Sequence, residues 1–320
     1  MNTDDAKPRV VIPTPPHPQA RREPLPSETP KSPEEDPSAP GRVRAILDSP
    51  SYRPADRDLD FLARDDMRAV RLQLDYYKAE RLLELHGIRH TVVVFGGTRI
   101  CEPKAAGRRV AELRALLARD PANRETRRKL QIAERILAKS GYYDVAREFG
   151  RLSELMAKAA PERRTVIVTG GGPGIMEAAN RGAYDVGVKS VGLNINLPQE
   201  QFPNPYVTPE LCLQFHYFAM RKLHFLLRAR ALVAFPGGYG TFDELFETLA
   251  LIQTRKIKPL PVVLVGRDYW RRAFDVDFLV DEGVIEEEDR ELFWYAETAE
   301  EIWDGIRHWH AANGEPAFPG

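Results

Sequence analysis

The sequence predicts an α/β fold: a Rossmann-like, doubly wound, mostly parallel sheet with helices on both faces and extra N-terminal helices ahead of it. Three observations carry that reading. Short apolar runs alternate with longer helical stretches from about residue 90 onward. Three of the runs end in glycine-rich turns, at 96–97, 170–174 and 237–240. In open parallel sheets ligands gather at the carboxyl ends of strands, so the three turns are expected to converge at one edge.

The elements follow in chain order. Residues 1–45 read as a disordered, proline-rich tail. Prolines at 8, 13, 15, 16, 18, 24, 26, 30, 33, 37 and 40 alternate there with charges, and such a segment buries too little apolar surface to offset its ordering entropy. Residues 46–89 read as a helical extension, with Leu59, Phe61, Leu62, Val70, Leu72, Leu74, Leu82, Leu83 and Leu85 on a helical pattern and Gly87 as its stop. The sheet domain is expected over 90–312. Its strands are placed at 91–95, 165–168, 190–195, 211–215, 231–235 and 262–265. A helical insertion is expected over about 105–160, broken near Asp120-Pro121 and Ser140-Gly141, its first half a solvent-exposed hairpin. Further helices run through Met176, Ala179 and Ala183, through Met220-Arg221-Lys222, from Glu244, from Trp270 and from Glu300.

Bulk properties narrow the function. The chain has 320 residues, 43% of them hydrophobic, enough for one large domain or two small ones. A formal net charge of -1 gives no sign of a nucleic-acid surface. The two cysteines, Cys101 and Cys212, lack metal-ligand spacing and are too few for a disulfide scaffold. No apolar run nears the ~18 residues of a membrane span, and the polar, acidic start does not resemble a signal peptide. The expectation is a cytoplasmic protein with no membrane, nucleic-acid, metal or cofactor partner.

Chemistry concentrates in 235–244, Phe-Pro-Gly-Gly-Tyr-Gly-Thr-Phe-Asp-Glu. A glycine-rich turn between strand and helix presents backbone N–H groups at the positive end of the helix, a geometry that binds phosphate. Gly237, Gly238 and Gly240 allow close approach of an anion, Tyr239 stands among them, and Thr241 adds a hydroxyl. No lysine follows the last glycine, so this is not the triphosphate-binding P-loop. Thr241-x-x-Glu244 also has the spacing of a capping box, and spacing alone favours the cap over catalysis for Glu244. The turn at 170–174, with Gly171, Gly172 and Gly174, lacks the G-x-G-x-x-G spacing, and no acidic residue ends the next strand, which places a dinucleotide enzyme below a mononucleotide enzyme. Arg221 and Lys222 sit on an apolar helix near the same edge, where Arg suits a planar, permanently charged contact. His216 and His224 are too far apart in sequence for a usual metal pair, and with Tyr217 they read as packing or substrate-side residues.

Together these pieces resemble the Lonely Guy (LOG) family of nucleoside 5′-monophosphate phosphoribohydrolases, over about residues 90–310. The marks are Gly170-Gly171-Gly172-Pro173-Gly174-Ile175-Met176, the pair Arg221-Lys222, and 236–244 with its P-G-G-x-G-T-x-x-E pattern. The resemblance implies hydrolysis of AMP or a cytokinin riboside monophosphate to free base and ribose 5-phosphate, without a cofactor. It implies catalytic roles for Arg221 and Glu244. It implies substrate or phosphate contacts by Gly97, Gly171, Gly172, Gly174, Glu200, Met220, Lys222, Gly237, Gly238, Tyr239, Gly240 and Thr241. It also implies a homodimer or larger homo-oligomer. The alternative is a non-catalytic nucleotide or molybdenum-cofactor carrier of the same fold. Three features depart from the small plant-type members: Gly96-Gly97 in place of Gly-Ser, a single residue between the triple glycine and Gly174, and the added helices. The decarboxylase label sometimes attached to this family would require a Schiff-base lysine and a cofactor cradle, and Lys222 is the only lysine within the motifs.

Overall fold

The computed structural model describes residues 13–21, 23–157, 165–198 and 202–314. They divide into two units, one up to Arg68 and one from Ala69 onward. The first unit holds short 3-10 turns and two helices, α1 (Ala39–Leu47) and α2 (Leu59–Ala63). Residues 1–12 and 22 of the expected disordered tail lie outside the described residues; the rest includes a 3-10 turn at Pro26–Glu28, and 39–45 is helical within α1, where Pro40 stands in the first turn and costs no hydrogen bond. Asp58 caps α2, its carboxylate accepting from the Phe61 amide at 3.1 Å.

Helix α3 (Arg68–Leu85) starts at the last residue of the first unit and otherwise belongs to the second. Gly87, at a φ of 70°, ends it as expected, and the amides of Gly87 and Ile88 return to the carbonyls of Glu84 and Leu83. Then come β1 (His90–Phe95), α4 (Pro103–Arg119), α5 (Arg124–Lys139), α6 (Gly141–Arg151), α7 (Ser153–Ala157), β2 (Thr165–Thr169), α8 (Ile175–Asp185), β3 (Ser190–Ile195), β4 (Cys212–Phe215) and α9 (Phe218–Leu227). The chain continues through β5 (Ala229–Ala234), α10 (Tyr239–Gln253), β6 (Val262–Val265), α11 (Arg267–Ala273), α12 (Val276–Asp281), β7 (Trp294–Ala296) and α13 (Ala299–Ala312). The short strand β7 was not among the strands the sequence predicts. Three residues give no visible period, yet they pair in parallel with β6.

The seven strands run in the order β4-β3-β2-β1-β5-β6-β7, and every pairing is parallel. Alternate side chains of each strand serve opposite faces. Val92 and Val94 of β1, with Ile167, Val233 and Val263, meet α6, α8 and α13 through Phe149, Ile175 and Ile302. Val93 and Phe95, with Val168, Leu232 and Leu264, meet α3, α9, α10 and α11 through Leu83, Phe225, Leu245 and Trp270. Within the expected helical insertion, α4 and α5 share a small core of Val110, Leu113 and Ala133. Helix α6 differs from them: Tyr143, Ala146 and Phe149 are fully buried in the sheet's own core.

The strand order places the site. The chain winds from β1 outward to β4, then returns through α9 to β5 on the other side of β1. The order reverses there, and in such sheets the crevice between the diverging halves receives the ligand.

Candidate active site

The three glycine turns interlock at the carboxyl ends of β1, β2 and β5. The Gly97 amide donates to the Pro236 carbonyl at 2.9 Å, and the Gly97 carbonyl accepts from the Ile175 amide at 3.3 Å. A methyl group on Gly96 would stand 2.6 Å from Ile175 Cγ2. Gly174 has a φ of 75° and presses against the Gly97 carbonyl and Thr98, which leaves no room for a side chain. Convergence at one edge, expected from the sequence, is therefore built from backbone contacts that only glycine permits.

The first loop, 170–174, is held from beneath by a buried polar network. Thr169 Oγ1 accepts from the Gly171 amide at 2.9 Å and donates to Asn180 Oδ1 at 2.7 Å. Asn180 Nδ2 donates to Ser190 Oγ at 3.0 Å. Asn204 Nδ2 reaches both Asn180 Oδ1, at 2.9 Å, and the Gly172 carbonyl, at 3.0 Å, and its amide donates to the Gly171 carbonyl. Met176 packs over the loop, and methyl groups at Gly170 or Gly172 would meet its side chain at 2.9 Å. None of Thr169, Asn180, Ser190 or Asn204 is in the sequence-derived site. Asn180 carried the one available signal: a polar residue beside Ala179 and Ala183 on the buried stripe of α8.

The second loop, 236–240, is the open one. Gly238 and Gly240 are exposed, and α10 starts at Tyr239. The amides of Tyr239 and Gly240 therefore have no carbonyl one turn back to accept them. Tyr239 is 96% exposed, and its amide stands at the first position of α10. Thr241 is buried and fills the space a Gly237 side chain would need. Tyr269 donates from its hydroxyl to the Gly237 carbonyl, and the Trp270 indole bridges the carbonyls of Ala234 and Val265 at 3.2 and 3.0 Å. The capping-box reading of Thr241 and Glu244 is corrected here. The N-cap is Gly238, without a side-chain capping bond, and both residues lie inside the helix.

Glu244 instead faces a cation. It is 6% exposed, and its Oε1 is 3.8 Å from Nη2 of Arg221. Burial pushes the Glu244 carboxyl up to about 7, against the opposing pull of Arg221 and Lys222. Burial likewise lowers Arg221, and the Glu244 charge partly restores it. The Arg221 guanidinium lies over the rings of Phe218 and Phe225, at 5.3 and 5.4 Å from their centroids. A methyl group on Gly170 would be 3.9 Å from Arg221 Nη2. Arg221 thus stands between the first glycine loop and the carboxylate of α10.

Other sequence-derived residues have partners of their own. The Lys222 ammonium is bound at 2.8 Å to Asp243 and at 3.0 Å to Glu247. Burial would lower it, but those hydrogen bonds prevail and hold it above the ordinary lysine value. Lys222 and Met220 line a groove of about 920 Å³ that runs between α9 and α10 toward the start of β5, and Lys222 also lines a cleft of about 720 Å³ with Tyr239 and Gly240 of the second glycine loop. His224 is buried and binds the Met220 carbonyl at 2.7 Å; His216 is exposed at the end of β4. Among the described residues no His, Cys, Asp and Glu cluster is placed to hold a metal ion, and no helix is long and apolar enough to cross a membrane. Glu200 lies outside the described residues.

Comparison with known proteins bears on this arrangement. Residues 176–306 match a protein-family model described as "Possible lysine decarboxylase". The chain is 32% identical over 169 residues to the cytokinin riboside 5′-monophosphate phosphoribohydrolase LOG of Oryza sativa subsp. japonica, spanning 51% of this chain and 65% of that protein. It is 32% identical over 170 residues to a cytokinin riboside 5′-monophosphate phosphoribohydrolase of Arabidopsis thaliana, spanning 51% of this chain and 74% of that protein. Among solved structures, a molybdenum cofactor carrier protein of Chlamydomonas reinhardtii shares 18% identity with a TM-score of 0.38, over 70% of this chain and 99% of that one. A likeness of that size carries no functional information.

Proposed function

The chain belongs to the LOG family, and from that premise we propose that it hydrolyses the N-glycosidic bond of nucleoside 5′-monophosphates to free base and ribose 5-phosphate. The observation that carries the reading is the buried pair of Glu244 and Arg221, the carboxyl poised near neutrality, inside a helix whose first amides lie at an open glycine loop. In this reading the 5′-phosphate docks on the 237–241 loop, at the amides of Tyr239 and Gly240, and the helix macrodipole favours it there. Departure of the base leaves positive charge on the sugar. Ionised Glu244 stabilises that charge and orients the attacking water. The C1′–N bond breaks with its electron pair on the departing base, the water oxygen bonds to C1′, and the proton the water releases ends on the base nitrogen. Arg221 positions the nucleotide and stabilises the departing base. AMP and a cytokinin riboside monophosphate are the substrates to try first, the second because the relatives' names specify it.

A decarboxylase reading is disfavoured by the state of Lys222. Schiff-base lysines are activated by a lowered pKa, whereas the two carboxylates on Lys222 keep its proton in place. We further propose that the protein self-associates through the apolar surface that Leu223, Leu227 and Phe246 leave exposed on α9 and α10, and, from the free thiols of Cys101 and Cys212, that it works in a reducing cytoplasm.

The test is incubation with AMP and then a panel of GMP, IMP, CMP and an isopentenyl-adenine nucleotide, without added metal, with free base and ribose 5-phosphate measured. Glu244→Gln is expected to lower turnover by about 100-fold or more while the nucleotide still binds. Tight binding without release from any nucleotide would sink the hydrolase reading in favour of a carrier.

A further inference from the structure

Helix α9 carries Arg221 but does not cap itself. Its N-cap is Tyr217, whose side chain makes no capping bond. The amides of His216 and Tyr217 donate instead to one carboxylate oxygen, Oδ2 of Asp75 on α3, each at 2.8 Å. Arg71, about one turn earlier on α3, donates from Nε to the Tyr217 hydroxyl at 3.0 Å. At its far end α9 passes into Arg228. That guanidinium binds both oxygens of Glu80 on α3, at 2.6 and 2.8 Å, and the Ile88 carbonyl at 3.0 Å. Helix α3 therefore grips α9 at both ends, from about 140 residues away in sequence.

The grip matters because little else fixes the Arg221 guanidinium. Its Nε is buried with no hydrogen-bond partner. Its 3.8 Å approach to Glu244 is longer than a hydrogen bond. The two rings against it, Phe218 and Phe225, ride on the same helix. Where α9 sits is thus where Arg221 sits.

We propose that Asp75 is a positioning residue for Arg221: by fixing the start of α9 it sets the distance between the guanidinium, Glu244 and the reacting sugar. The proposal rests on the phosphoribohydrolase reading above. A carboxylate at two amides ahead of a helix also opposes the positive end of the helix dipole, which makes Asp75 suited to this hold.

The test compares Asp75→Ala with Asp75→Asn, each assayed on AMP well below its melting temperature and normalised to folded protein. Misplacement by about 1 Å can cost 100-fold in rate, so Asp75→Ala is expected to lower kcat by about tenfold or more. KM is expected to change less than kcat, since the amides proposed to hold the phosphate stand on the second glycine loop and the start of α10, which Asp75 does not touch. Asp75→Asn keeps an acceptor oxygen and is expected to recover most of kcat. Hydrogen exchange over residues 216–228 reads the brace without turnover: it should quicken in Asp75→Ala, stay near wild type in Asp75→Asn, and leave 239–253 unchanged. A wild-type kcat in Asp75→Ala, a loss confined to KM, or unchanged exchange over 216–228 overturns the proposal. A wild-type protein that hydrolyses no nucleotide overturns the function instead, and the exchange comparison then decides the brace by itself.

Discussion

The two glycine loops at the carboxyl edge of the sheet look alike in sequence and are built in opposite ways. The first, 170–174, is roofed by Met176 and underpinned by Thr169, Asn180, Ser190 and Asn204, with most of its groups buried and paired. The second, 236–240, is open to solvent and ends in helix amides that have no intrahelical acceptor. The difference teaches that glycine serves two ends. In the first loop it allows the backbone of one strand connection to lie on another; in the second it clears space for something that is not protein.

Substitution at Gly174 should break the first loop most severely. Its φ of 75° and ψ of -128° belong to a region essentially reserved for glycine. A methyl group would also meet Thr98 C at 2.7 Å, and that atom is backbone and cannot swing aside. Gly174→Ala is expected to lose about 3 kcal/mol of stability or more, read as a drop in the urea midpoint. A midpoint near wild type would mean that the loop relaxes and that the interlock with Gly97 is not rigid.

The second loop can be probed without touching the fold. Proline at the first position of a helix keeps the fold and removes one N–H. Tyr239 occupies that position, and its side chain is almost wholly exposed. Tyr239→Pro is therefore expected to leave stability within about 0.5 kcal/mol. KM for a nucleoside monophosphate should rise about tenfold, since a hydrogen bond to a charged group contributes ~1.5–3 kcal/mol. Tyr239→Ala retains the amide and should change neither. Equal KM values in all three proteins would remove the 239 amide from the phosphate site.

The same contrast explains what could be read from the sequence. Alternation of apolar runs and helices, and glycine turns at strand ends, follow from local periodicity and turn chemistry, so the parallel sheet and the converging edge were legible. The start of α10 was not. Gly240 and Thr241 are poor helix formers, so local preference moved the expected start toward Glu244 and made a capping box of what is helix interior. The partners of Arg221 and Lys222 were half visible: motif order brings Arg221 to Glu244, but nothing local assigns Lys222 to Asp243 and Glu247. The polar frame under the first loop joins Thr169, Asn180, Ser190 and Asn204 across three elements and a loop. Pairings of that kind depend on tertiary placement and leave no periodic trace.

The effect that shows only as a pH dependence concerns the cost of keeping a carboxylate beside the open loop. Glu244 is held near 7 in the fold, above its ordinary value of 4.5. Between those two values the folded protein holds a proton that the unfolded chain has released, so stability declines as pH rises through the interval. Above about pH 7 the folded protein carries the full burden of a buried charge, which Arg221 only partly relieves. Glu244→Gln removes the charge and keeps the shape. Its melting temperature should therefore rise relative to wild type between pH 4 and pH 8, by the equivalent of up to about 3 kcal/mol. The variant that loses turnover would then be the more stable protein at pH 8, as expected where a site holds a charge for chemistry at the expense of the fold. A melting difference that is flat with pH would mean that Glu244 is already ionised at acid pH, with Arg221 and Lys222 outweighing its burial.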